Sequence, residues 1–169
     1  WSSDVCSSDL DLYARKTYAA NFKDKYLSDP NLFAGDIWKV DFKKIPDFLS
    51  ILGFQDAYLN DNNDEWIVEF MPTKDLTHSN GSIVQGGFVS GMLDASMSQY
   101  LIFIFEGKKV PLTLDLDIKF IKSCSPDEKV FAVSKIIKKG NSIAFTSGEL
   151  LQNNSIIATA SSTSKLVSI

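Results

Sequence analysis

From residue 54 onward, the hydrophobic and polar positions divide the chain into short strand-like runs around one long apolar segment. Phe54 to Leu59 and Glu65 to Phe70 flank the polar run Asn60-Asp61-Asn62-Asn63-Asp64, a hairpin signal. Residues 71–84 read as a loop that ends in a short apolar piece, and Gly86 to Phe105 reads as a helix. Residues 110–122 alternate cleanly, which predicts a strand with Leu112, Leu114, Leu116, Ile118 and Phe120 on one face. Thr113 then falls on the opposite face with Asp115 and Asp117. Strands are also predicted over 129–138, 142–151 and 155–167, broken at Ser125-Pro126-Asp127, Lys139-Gly140-Asn141 and Asn153-Asn154. The short connections imply antiparallel neighbours. Ahead of this, residues 11–28 carry an amphipathic helical stripe that Asp29-Pro30 stops. A loop over 31–42 and a short helix over about 45–52 follow, with Gly53 just past its end.

The order is helix, two strands, long helix, four strands. A helix that is apolar on nearly all sides must be buried, and a curved antiparallel sheet wrapped around it would do so. The expected class is α+β, with five to six strands around a central helix at 86–105 and an extra N-terminal helical segment. The expected division is a non-native or disordered segment over 1–10 (WSSDVCSSDL), a helical extension over 11–53 and the main domain over 54–169. The polar residues Ser90, Asp94, Ser96, Ser98 and Gln99 in the middle of the long helix argue against a membrane span.

Composition narrows the chemistry. The formal net charge is −4, which gives no basic footprint for nucleic acid. Arg15 is the sole arginine, so guanidinium clamps on phosphate are nearly absent. The two cysteines, Cys6 and Cys124, lie far apart and in no metal-like spacing, which suggests a reducing, cytoplasmic setting. His78 is the one histidine, so a histidine-rich metal site is impossible and a Ser-His-Asp triad would have to run through it.

The chemistry concentrates where the long helix begins. Gly86 and Gly87 lack a Cβ and let another group approach the backbone. The first N–H groups of a helix have no intrahelical partner and sit at the positive end of its dipole, a place that can stabilise a developing oxyanion. Asp94, just over two turns later, is the only charged residue between Gly86 and Phe105. An unpaired buried carboxylate is costly, which makes Asp94 a candidate functional group. A purely structural role, bonded to backbone or to Ser90, remains open on these residues alone.

The segment His78 to Asp94, with Gln85-Gly86-Gly87 opening the helix, resembles the active-site signature of PaaI-like thioesterases of the hotdog-fold 4-hydroxybenzoyl-CoA thioesterase superfamily. That signature runs Asn, Gly, His-Gly-Gly, then an Asp eight residues after the first glycine of the pair. Leu112 to Phe120 and Lys138-Lys139-Gly140-Asn141-Ser142 resemble the family's strand after the helix and its Lys-x-Gly-Lys/Arg turn. The resemblance implies a hotdog fold and hydrolysis of acyl-CoA thioesters with no metal and no cofactor. Gly86 would then supply the oxyanion-binding N–H, and Asp94 would act as nucleophile or general base. Thr113 matches a position that helps place the water, and Asn80 roughly matches the family Asn. Gly87, Lys138, Lys139, Gly140, Asn141 and Ser142 would meet the CoA moiety. It also implies a homodimer, and a dimer of dimers, with the glycine and the carboxylate coming from different subunits. The chain departs from the pattern at Gln85, which replaces a His and cannot titrate, at Asn80, which sits one residue closer to the glycines, and at Asn141, which replaces a basic residue.

Two other functions fit the same fold: a non-catalytic acyl-CoA or acyl-carrier binding protein, and a dehydratase or hydratase. The second needs a His–carboxylate pair that only His78 could supply. His78 otherwise reads as a loop residue, Cys124 as an inert strand-end thiol, and Tyr100 to Phe105 as core with a share in an acyl pocket. The Asn60–Asp64 run lacks the spacing and glycine of a calcium loop.

Overall fold

The computed structural model describes residues 49–60, 62 and 64–168, within a unit spanning Phe48–Ile169. The expectations for segments 1–10 and 11–48 lie outside the described residues. Six strands form one antiparallel sheet: β1 (Phe54–Asn60), β2 (Glu65–Phe70), β3 (Lys109–Phe120), β4 (Val130–Lys139), β5 (Ile143–Gln152) and β6 (Ser155–Ser168). One long helix, α1 (Gly86–Ile104), packs on one side of it. The strand order is β1-β2-β4-β5-β6-β3, so β3, which directly follows the helix, forms an edge. This is the predicted α+β architecture of a sheet around a central helix.

The turns use the residues that turn chemistry demands. Asn153 and Asn154 both take positive φ, 51° and 58°, in the two-residue hairpin between β5 and β6. Asparagine tolerates that conformation, which matches the twist of the flanking strands. At the β4–β5 turn the Gly140 N–H donates to the Ile143 carbonyl at 2.9 Å. A Cβ on Gly140 would lie 2.8 Å from that same oxygen, so a side chain does not fit there.

The core lies between the helix and the sheet. Val89, Met92, Leu93, Met97 and Tyr100 of α1 are buried in one cluster with Trp66, Val68, Phe70, Val130 and Leu150, and Leu101 packs in a second with Ala144 and Leu166. Gly148 lets the helix approach closely, since a Cβ there would stand 3.2 Å from Leu93 Cδ2. The one buried polar side chain on the helix is satisfied: Ser96 Oγ bonds Ser134 Oγ of β4 at 2.8 Å. At the far end, Tyr100 Oη donates to Asp64 Oδ1 at 2.7 Å, and its ring stacks on Trp66 at 6.0 Å. Burial and the Asp64 carboxylate push the Tyr100 hydroxyl up to about 12.

Two expectations are corrected. The helix is not buried all round: the sheet covers one side, while Gly87, Ile102 and Phe103 stay exposed and Ser90, Asp94 and Ser98 are half-buried. The alternation of β3 does not run unbroken either. Its register with β6 shifts by one residue between Thr113 and Asp115. Thr113 stands opposite buried Ser164, and Leu116 opposite buried Ser162, so both face the helix. Leu114 takes up the shift and is 60% exposed. A bulge inserts one residue and so reverses the pleat beyond it.

Candidate active site

Gln85 precedes the helix in an extended conformation, with φ −62° and ψ 141°. Its backbone N–H donates to the Leu76 carbonyl, and its side-chain Nε2 donates to the Thr77 carbonyl at 3.3 Å. These bonds and the Thr77–Val84 bridge hold the loop against the start of α1. The Gln85 carbonyl accepts from the N–H of Phe88 and of Val89. The Gly86 and Gly87 N–H groups engage no hydrogen-bond partner among the described residues. They are the free donors expected at a helix start.

Gly86 lines a cleft of about 320 Å³ with His78, Val84, Phe120 and Cys124 among its walls. The Phe120 ring lies directly over the glycine: a Cβ on Gly86 would meet Phe120 Cζ at 3.1 Å. Phe120 is a site residue that sequence reasoning placed only in a strand. Its signal was a large aromatic ring at the last alternating position of β3, where it is 57% exposed. Cys124 is buried, and burial followed by the Glu128 charge pushes its thiol up to about 11. It therefore stays protonated at neutral pH and is a poor nucleophile. His78 lies at the rim, exposed, in a turn whose Gly81 N–H donates to the His78 carbonyl. Asn80 is exposed in that turn, and its Oδ1 accepts from the Ser82 N–H at 3.2 Å.

Asp94 is half-buried rather than buried, and it has a partner. Thr113 Oγ1 of β3 donates to Asp94 Oδ1 at 2.8 Å. The β3 bulge makes this contact, because unbroken alternation would turn Thr113 away from the helix. Ser90, the other suggested partner, bonds the Gly86 carbonyl at 2.7 Å instead. The result is an accessible carboxylate fixed by one hydroxyl, with its second oxygen left to act as an acceptor.

Gly86 and Asp94 are eight residues apart on one helix, hence about 12 Å apart along its axis. One thioester carbonyl cannot touch both groups of the same chain. The β4–β5 turn lies at the other end of α1, where Lys139 Nζ stands 5.6 Å from the centre of the Phe105 ring. The β4–β5 register shifts between Ile136 and Lys138. Lys139 therefore pairs with buried Ala144 on the helix side, and Lys138 with Phe145 on the outer side. Asn141 and Ser142 are exposed on the turn, and the Ser142 carbonyl accepts from the Leu166 N–H.

Residues 81–157 match the sequence profile described as Thioesterase superfamily. No curated protein matches the chain in sequence. Among solved structures, a phenylacetic acid degradation-related protein of Ralstonia eutropha JMP134 is 21% identical. The alignment covers 72% of this chain and 90% of that one, with a TM-score of 0.65. A variant of the phenylacetic acid degradation protein PaaI of Thermus thermophilus is 15% identical over 70% of this chain and 97% of its own, with a TM-score of 0.61. A Streptococcus mutans UA159 protein solved with acetyl-CoA is 13% identical over 69% of this chain and 88% of its own, with a TM-score of 0.58. At these identities the likeness is one of fold, and the resemblance to PaaI-like hotdog thioesterases is borne out.

Proposed function

Starting from a chain with the hotdog fold and the thioesterase-superfamily pattern over 81–157, we propose that this protein hydrolyses acyl-CoA thioesters to a free acid and CoA. The observation that carries the reading is the Thr113–Asp94 bond: an accessible carboxylate held at one oxygen on a helix whose first N–H groups are free. Asp94 acts on the thioester in one of two balanced ways. As general base it takes a proton from water as the water oxygen adds to the carbonyl; the tetrahedral adduct then collapses, breaks the C–S bond and releases CoA, whose thiolate takes up the proton held by Asp94. As nucleophile it adds to the carbonyl itself, expels the CoA thiolate and leaves an anhydride that water then cleaves. In both, the Gly86 N–H of a second copy stabilises the carbonyl oxygen as it becomes negative.

The second copy is part of this reading, as the family pattern implies, and the distance within one chain is consistent with it. The 12 Å or so between Gly86 and Asp94 within one chain disappears when two helices pack antiparallel and bring one chain's Gly86 to its partner's Asp94. Among the described residues, the outer side of α1 is half-buried and no strand pairs with the outer edge of β3, which suits such packing. With what the family pattern implies, the reading also takes in a homodimer, assembled further as a dimer of dimers, that works in the cytoplasm without metal or other cofactor. Gly87 lies beside the oxyanion donor, where a Cβ would meet nothing within 4 Å. Lys139, Gly140, Asn141 and Ser142 receive the CoA end of the substrate.

A thiol-release screen across short, medium, long and aromatic acyl-CoAs tests this. Asp94→Asn should lower turnover on the best substrate at least about a hundredfold with an unchanged melting temperature. An unaltered rate would refute the assignment. One observation favours a second reading, a binding protein without turnover: the Gln85 amide is engaged by the Thr77 carbonyl and cannot titrate. A saturable rise in melting temperature with acyl-CoA, and no thiol release from any, would establish that instead. No described carboxylate pairs with His78, so a dehydratase lacks its acid–base couple.

A further inference from the structure

At the C-terminal end of α1, two ammonium groups share one aromatic ring. Lys109 Nζ, at the start of β3, lies 4.9 Å from the centre of the Phe105 ring, and Lys139 Nζ lies 5.6 Å from it. Both distances are within cation–π range. Lys109 Nζ also donates to the Asn141 carbonyl at 2.6 Å, which fastens the β4–β5 turn to the start of β3. Among the described residues no carboxylate pairs with Lys109 or Lys139; the nearby Glu106 is engaged by Lys108. Two like charges brought together without a counter-ion repel each other and favour the arrival of an anion. An ammonium has three donors, and the Asn141 carbonyl uses one of those on Lys109.

The position of this pair matters as much as its charge. Phe105 follows Asp94 by eleven residues, about 16 Å along the helix axis. The arm of CoA between its sulfur and its first phosphate is a chain of about thirteen bonds. At roughly 1.2 Å per bond when extended, it reaches about 15 Å. A thioester at Asp94 thus delivers its phosphates to the end of the helix where Lys109 and Lys139 stand. The β4 bulge at Ile137 selects the partner, because it puts Lys139 on the helix side with Lys109 and turns Lys138 to the opposite side.

We propose that Lys109 is a binding residue for the phosphate groups of the CoA nucleotide, acting with Lys139 around Phe105, so that the carboxylate and the phosphate site for one substrate molecule belong to the same subunit. The inference rests on the acyl-CoA reading of the Asp94 site. Lys109→Gln should lower the ratio of kcat/KM for an acyl-CoA over the matching acyl-pantetheine, which lacks the nucleotide, about tenfold. The loss should lie in the KM for acyl-CoA and not in kcat, and the salt dependence of that KM should weaken. Lys165→Gln removes the same charge from the outer face of the sheet and should leave the ratio intact. An unchanged ratio in Lys109→Gln, or an equal loss on both substrates, overturns the proposal and leaves hydrolysis standing. Equilibrium binding of CoA itself separates the two claims further. Weakened CoA binding in Lys109→Gln, in a protein that releases no thiol, would sink the thioesterase reading and sustain the phosphate site. No CoA binding by the wild type would sink the site.

Discussion

Thr113 Oγ1 donates a hydrogen bond to Asp94 Oδ1 at 2.8 Å, joining the edge strand to the centre of the helix. The bond fixes one oxygen of the carboxylate and leaves the other free, so Thr113 is a positioning residue for the group proposed to act on the thioester. Thr113→Val keeps the shape but loses the donor. It should lower kcat about tenfold or more with little change in KM, while Thr113→Ser should restore most of the rate. Steady-state kinetics on the best acyl-CoA decide it; a Val variant with wild-type kcat would leave the contact without a catalytic role.

Two glycines should respond differently to a side chain. At Gly148 a Cβ would meet Leu93 Cδ2 at 3.2 Å and Met97 Cγ at 3.4 Å, inside the packed core. Gly148→Val should therefore destabilise by about 1–3 kcal/mol, read as a lower denaturation midpoint. At Gly86 the neighbour is the half-exposed Phe120 ring, which can swing away. Gly86→Val should keep a midpoint near wild type and lose turnover, because the branched side chain blocks approach to the N–H. Equal losses of stability at both positions would contradict this division.

Tyr100 should make stability fall in alkali. Its hydroxyl is raised from 10.0 to about 12 by burial and by the Asp64 carboxylate. The folded protein thus holds that proton more tightly than the unfolded chain. The resulting stabilisation is fully present below pH 10 or so and is lost as the pH climbs towards about 12. Melting temperatures across that window should drop more steeply in the wild type than in Tyr100→Phe. The variant should itself be weaker at neutral pH by about 1–3 kcal/mol, since the Asp64 carboxylate loses its donor. Parallel curves for the two proteins would show that the Tyr100–Asp64 bond does not bear on stability.

The sequence by itself determined the order of elements, the six strands and one helix, the turns at Gly140 and Asn153-Asn154, and the pairing of a glycine-led helix start with Asp94. These rest on local rules: periodicity, turn chemistry and the spacing of a motif along one helix. Tertiary structure decided which side chains meet. The sequence alternation of β3 turns Thr113 away from Asp94, and a one-residue bulge turns it back. The same device in β4 separates Lys138 from Lys139 and gives Lys139 to Phe105 and Lys109. A bulge is set by pairing with the neighbouring strand, and no local pattern records it. Burial was misjudged for a related reason. An all-apolar helix reads as enclosed, yet among the described residues a single sheet covers only one side of it, and the other side of α1, with Asp94 on it, is half-buried.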